Sequence, residues 1–380
     1  MNQPATLVWV TFFWAAVILA LAAGFGLGGA LLRCPPLGCP IGTWWVAAAR
    51  VHGHVQLVGW AGLMVLGVGF HLLPRLRGRP LAHPVHARTA LGCLLAGLLL
   101  RALTDPVLAL NARAPLAFLL RAGLALSGLL ELVGVTIAIG LLVLTLQANP
   151  PARSRPGLQQ VLPLLGTAFV GFWLGALANL LAVLEVALGD NGTGGALDRL
   201  AILPALYLFL IPIAVGMGAR VFPLHFAAKQ ADQRLLRLGL ALLLLGVLAR
   251  VAGDWAGEAH IRAAGLALLA AGLCLFVIGV RVFAARRAVP GERRRWYKDP
   301  AQWHGITDTA WLGLDPITLA VAAVAVSGGR GTDVPVDAER HIVGAGFVTL
   351  LIFGEGANLL PGFARRPHHD IGRIGSRQQT

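Results

Sequence analysis

Charge is what this sequence has least of. Only 13% of its 380 residues are Asp, Glu, Lys or Arg, while 57% are hydrophobic. A soluble domain of this size could not cover its surface with so few charges, so a water-soluble globular protein is excluded. Lysine is almost missing: Lys229 and Lys298 are the only two, and arginine supplies nearly all of the +14 net charge. The arginines lie between apolar runs and not along one face or in one tail. That pattern excludes nucleic acid as a partner and fits the asymmetry of loops flanking membrane helices. Also missing are a phosphate-binding glycine loop, a nucleophile elbow and a Cys-x-x-Cys-His attachment motif, so any haem would be held non-covalently.

Cysteine is scarce as well, with four residues. Cys93 and Cys274 lie inside apolar runs and read as packing residues. Cys34 and Cys39 close the short loop "CPPLGC". Their spacing is equally compatible with a local disulfide in an oxidising compartment and with two free thiols in a tight turn.

What the chain has in abundance is apolar runs long enough to cross a bilayer, which takes about 20 residues. They lie at 7–31, 45–73, 87–104, 115–147, 159–188, 199–222, 235–253, 261–284, 304–327 and 338–361. The first is too long for a signal-peptide core and reads as a retained span. The third and seventh are short. The ninth contains Asp308, Asp315 and Pro316 and is expected to be partly re-entrant or shielded by other helices, with Asp315 breaking the helix before the proline. The fold class is therefore an all-α polytopic membrane protein of about ten helices. It forms one transmembrane domain over 1–380, with a tail at 362–380.

Connections after even-numbered spans hold 20 Lys and Arg, the alternate ones hold five, and six lie in or beside spans. The positive-inside rule then puts both termini in the cytoplasm, in a bacterial-type inner membrane. The basic stretch 286–298 reads as a cytoplasmic loop near anionic lipid. The "RPHHD" segment with His368 and His369 reads as solvated tail.

Span two, "HVQLVGWAGLMVLGVGFHLLP" (54–74), aligns without a gap on span ten, "HIVGAGFVTLLIFGEGANLLP" (341–361). Eight of 21 positions are identical, among them the leading His, three glycines and the final Pro. Span six ends "GMGARVFP" (216–223) in the same register, with Leu203 in place of the histidine. Spans two, six and ten thus form a threefold pattern. Their glycines let helices approach closely or leave room for a flat ligand, and their prolines are expected to end each helix.

A histidine inside a membrane is costly unless it is paired or bound. His54 and His341, at matched depths, are the candidate metal ligands, and haem is the candidate group. Arg50, four residues before His54, and Arg340, next to His341, would pair with haem carboxylates or anchor at the interface. His52 lies about 200° around the helix from His54, facing a second site or a backbone partner. Glu131, Glu355 and His71 are candidates for a proton path, with Asn358 at similar depth. The competing expectation for the carboxylates is pairing with Arg121, Arg101 or backbone groups.

Three segments resemble the NnrS family of haem-containing membrane proteins: "WWVAAARVHGHVQLVGWAGLMVLGVGFHLLPRLRGRPL", "VGMGARVFPLHF" and "ERHIVGAGFVTLLIFGEGANLLPGFARRP". Together they span about a fifth of the chain. The acid usual after that family's second His is Val55 here, and "HLLPRL" is more similar to haem–copper oxidase subunits. The resemblance implies haem b between His54 and His341, with copper as a further candidate, and nitric oxide or quinol as partners. The oxidase's copper ligands have no counterpart: span six through Pro223 lacks histidine, and His225 lies below it. Glu339 stands where that family's helix ten has a further His. The competing functions are a reduced oxidase-like or nitric-oxide-reductase-like enzyme and a cofactor-free transporter.

Overall fold

The computed structural model describes residues 8–110, 114–147, 159–189, 196–225, 227–284, 300–329 and 333–363. The basic stretch 286–298, His368, His369 and most of the expected tail lie outside them, as do the side chains of His225 and Asn358.

Ten helices account for the described residues. They are α1 (Val8–Arg33), α2 (Thr43–Arg77), α3 (Val85–Leu108), α4 (Ala114–Gln147), α5 (Leu162–Leu188), α6 (196–225), α7 (Gln233–Ala256), α8 (Ala259–Val280), α9 (Pro300–Ser327) and α10 (333–363). Among the described residues the first nine are long and apolar enough to cross a membrane. No strand occurs among the described residues. The chain is an all-α polytopic membrane protein, as expected.

The structure differs from expectation at three places, each for an identifiable reason. α3 and α7 are not short; each has 24 residues. α3 runs through Asp105 because that acid has a buried partner. α7 runs through Arg250 and Asp254 because they pair one turn apart at 3.1 Å. α9 is one unbroken helix that contains Pro316, so Asp315 does not break it; it is a fully buried side chain. The repeat prolines do not end their helices either. α2 continues past Pro74 to Arg77 and stops at Gly78, whose φ of 71° a β-carbon would strain. There the Arg79 amide donates to the Pro74 carbonyl, closing the helix end.

The chain divides into two compact units, 1–212 and 213–380, with the division inside α6. In the first unit α2 packs on α1 and α3, α4 packs on α3 and α5, and α5 meets the start of α6. In the second unit α7 pairs with α8, α8 with α9, and α9 with α10. The α7–α8 contact is nearly backbone to backbone: a β-carbon at Gly253 would lie 2.5 Å from the Arg262 nitrogen. Small residues here replace the hydrophobic drive that lipid removes.

One feature was not legible in the sequence. The wide π-helical form occurs in α1 (Ala20–Gly26), α2 (Val55–Gly62), α6 (Pro204–Leu210) and α10 (Ile342–Thr349). In α2 and α10 it begins on the residue after His54 and after His341 and runs eight residues in each. In α6 it begins after Leu203, the position matched to those histidines. The repeat is thus one of backbone geometry as well as of residue type.

Candidate functional site: a buried histidine–carboxylate core

The first unit collects charged and amide side chains from α2, α3, α4 and α5. His54 Nε2 lies 2.6 Å from Glu131 Oε2, and the two side chains are 12% and 1% exposed. The amide Nδ2 of Asn179 donates to the same Oε2 at 3.2 Å. The Asn179 oxygen in turn accepts from the Arg101 guanidinium. Arg101 reaches toward Asp198 at 3.9 Å, at the start of α6. Four residues along α2 from His54, Arg50 makes a 2.7 Å ion pair with Asp105, both nearly buried.

Helical spacing builds this core. Arg50 and His54 are one turn apart on α2, and Arg101 and Asp105 are one turn apart on α3, so each pair shares a face. Gly97 lets α4 lie against α3: a β-carbon there would stand 2.7 Å from Glu131 Cγ and 2.8 Å from the Ser127 carbonyl. In a low-dielectric interior each of these charges would be costly alone, and each has its opposite or an amide. The His54–Glu131 bond is of charge-assisted length. Glu131 Oε1 makes no hydrogen bond, so this buried acid keeps acceptor capacity.

Other expected site residues fall elsewhere. Arg50 is committed to Asp105. His52 faces α1: its Nδ1 donates to the Gly24 carbonyl at 2.9 Å, and its ring lies against Gly28. That is the backbone partner, one of the two roles expected for it. His71 is buried edge-on against Trp9, about 25 Å along α2 from His54, so it does not join Glu131. The glycines of span two are filled by neighbours: Gly67 by Phe12, Gly59 by Leu19 and Leu98. At these two positions they serve close packing, while at Gly69 the nearest atoms to an added β-carbon are those of Leu142 at 3.7 Å.

In the second unit His341 is 59% exposed, and its Nδ1 donates to the Asp337 carbonyl at 2.9 Å. Arg340 beside it is half-buried, and Gly346 packs on the Trp311 ring. Glu355 is half-buried on α10, with α9 alongside. Cys34 and Cys39 are thiols with no disulfide between them. Their mutual hydrogen bond, followed by burial, pushes the Cys34 thiol up to about 11.

Axial haem ligation needs an imidazole with a lone pair and, commonly, a partner on the other nitrogen. His54 has that chemistry: with Nε2–H given to Glu131, the lone pair is on Nδ1. In His341 the carbonyl bond puts the proton on Nδ1 and the lone pair on Nε2. No group of three or more His, Cys, Asp and Glu side chains suited to a metal ion exists among the described residues, so a copper centre of that kind has no candidate there.

Sequence reasoning singled out His54, Arg50 and Glu131 but missed Asp105 and Asn179 as their partners. A usable signal was present: Arg50, Arg101, Asp105 and Glu131 are opposite charges within three consecutive spans, and intramembrane charges pair. No family model matches the sequence, and no curated protein shows significant similarity to it.

Proposed function

We propose that this chain is a haem-binding integral membrane protein of the NnrS type, acting in nitric oxide response or haem-linked redox chemistry. One observation carries the reading. In both α2 and α10 a histidine stands immediately before a π-helical stretch of the same length and register. Such stretches are rare and concentrate at functional sites. His54 and His341 would hold the group. Haem, when bound, would supply one-electron exchange.

The protein's own residues do the rest. Glu131 holds the His54 ring by its Nε2–H and fixes which nitrogen faces away. Asn179, itself held by Arg101, in turn holds Glu131, so the imidazole cannot swing without breaking a buried network. Both termini would face the cytoplasm of an inner membrane, which a C-terminal reporter fusion tests.

The test of haem binding is the optical spectrum of the purified, reduced protein. Sharp bands of a six-coordinate b-type haem are expected, and they should disappear in His54→Ala and in His341→Ala. A folded but colourless preparation overturns the reading. It would leave the second one, a cofactor-free transporter. The feature favouring that alternative is the His54–Glu131 bond itself, a buried pair able to exchange a proton.

A further inference from the structure

After α1 the chain turns back through "CPPLGC", a segment used neither by the haem reading nor by the buried core. Its backbone closes as a Schellman turn. The Cys39 amide donates to the Cys34 carbonyl at 3.1 Å, and the Gly38 amide donates to the Pro35 carbonyl at 3.0 Å. Gly38 takes the left-handed conformation the turn needs, with φ 72°, after the single 3₁₀ turn Pro35–Leu37. In such a turn the first and sixth side chains meet over one side. Here both are cysteines, and their thiols hydrogen-bond to each other. Both ends of the turn are pinned by indoles. Trp45 Nε1 donates to the Leu31 carbonyl at 3.4 Å, and Trp44 Nε1 donates to the Pro40 carbonyl at 3.0 Å. Pro35, Pro36 and Pro40 restrict the backbone further. A disulfide needs two β-carbons held close and on one side, and this turn supplies that before any bond is made.

The two thiols are unequal. Cys34 is 5% exposed, whereas Cys39 is half-buried and is the sulfur an outside molecule reaches first. The hydrogen bond to Cys39, followed by burial, keeps the Cys34 thiol protonated at neutral pH. From the N-terminus to Ala49, Arg33 is the only Asp, Glu, Lys or Arg, and it is exposed beside Cys34. A negatively charged reagent therefore meets no like charge from this segment.

We infer that Cys34 and Cys39 form a reversible dithiol–disulfide site for small acidic disulfides, with Cys39 attacking and Cys34 resolving. The Cys39 thiolate attacks one sulfur of the incoming disulfide, forms a mixed disulfide and expels the first thiolate. Cys39 then no longer holds the Cys34 proton in place. Cys34 gives that proton to the expelled thiolate, and its sulfur attacks the Cys39 sulfur. The Cys34–Cys39 bond forms and the second thiolate leaves, taking a proton from water. Two protein thiols are oxidised and one substrate disulfide is reduced to two thiols. Neither step involves haem or His54.

The test uses purified full-length protein in lipid nanodiscs, reduced and then freed of reductant without air. It is mixed with glutathione disulfide at pH 8, and the remaining thiols are alkylated and mapped by mass spectrometry. The wild type should lose Cys34 and Cys39 to one internal bond, regained on adding excess reduced glutathione, while Cys93 and Cys274 stay free. Cys34→Ser should accumulate glutathione on Cys39, and Cys39→Ser should react at least about tenfold more slowly. Arg33→Gln should slow the reaction with glutathione disulfide severalfold and leave that with uncharged hydroxyethyl disulfide unchanged. The inference is overturned if the wild type keeps both thiols, or if it retains glutathione on Cys39 without closing the bond; neither result depends on a variant folding. Equal rates for the two serine variants overturn the assigned roles, and an Arg33→Gln protein as fast as wild type overturns the preference for acidic disulfides.

Discussion

The two units bury charge in opposite ways. In the first, every acid of the core has a partner: Glu131 has His54 and Asn179, and Asp105 has Arg50. In the second, Asp308 is fully buried with its Oδ2 outside any hydrogen bond, and the buried polar side chains among the described residues include no base. The same contrast separates α2 from α10. They share a motif and a π-helical register, yet His54 is enclosed and bonded to a carboxylate, while His341 is exposed and bonded to its own helix. A repeated motif therefore specifies the backbone of a helix. What its histidine meets is decided by the neighbouring helices.

The largest expected effect tests that contrast directly. Glu131→Ala strips His54 and Asn179 of their acceptor and should cost about 3–5 kcal/mol. Asp337→Ala, beside exposed His341, should stay within about 0.5 kcal/mol. Thermal unfolding of the solubilised variants measures both, and equal losses would break the comparison. Next comes the matched glycine. A β-carbon at Gly346 would lie 2.6 Å from the Trp311 ring, whereas at Gly59 the nearest atoms are side-chain methyls at 3.2 Å and beyond. Gly346→Ala should therefore cost about 1–3 kcal/mol, and Gly59→Ala less.

A smaller effect concerns acid. Asp232 caps α7, accepting from the amides of Leu235 and Arg234 and from Arg281. Those bonds, the Leu235 amide first, hold its carboxyl below the usual value of 3.8. Its contribution is present above pH 3.8 and is lost as pH falls through the lower folded value. Asp232→Asn should lower the melting temperature at neutral pH, leave it nearly unchanged below the folded value, and so flatten the acid limb of the profile. The smallest effect is kinetic. Cys34 is buried and its thiol raised, so a maleimide at pH 8 should label Cys39 first. Equal labelling would mean that the "CPPLGC" turn opens in solution.

Most of the fold was legible because a bilayer writes it in plain terms: apolar length sets the helices. The expected run 115–147 and the observed Ala114–Gln147 differ by one residue. Errors arose where a charge was read as a stop. Asp105 and Asp315 sit inside helices because neighbouring elements enclose them, which one strand of sequence does not reveal. The site was half legible. His54, Arg50 and Glu131 stood out as costly residues in apolar runs. That Glu131 would reach His54 depends on the rotation of α4 against α2, and that rotation is set by packing such as Gly97 on Ser127. The π-helical stretches had no sequence signal beyond their shared register.

The paired charges of the first unit also bear on how the protein is made. Alone in lipid, a central Arg or Asp costs a helix about 2.5–3.5 kcal/mol of insertion free energy. α2 carries Arg50, and α3 carries both Arg101 and Asp105. Neither is well suited to leave the translocon by itself, but Arg50 and Asp105 neutralise each other once both have emerged. Glu131 finds its partners only when α4 meets α2 and α5. The early helices are therefore expected to be released into the membrane as a group, so that biogenesis of this half proceeds by joint partitioning and not one helix at a time.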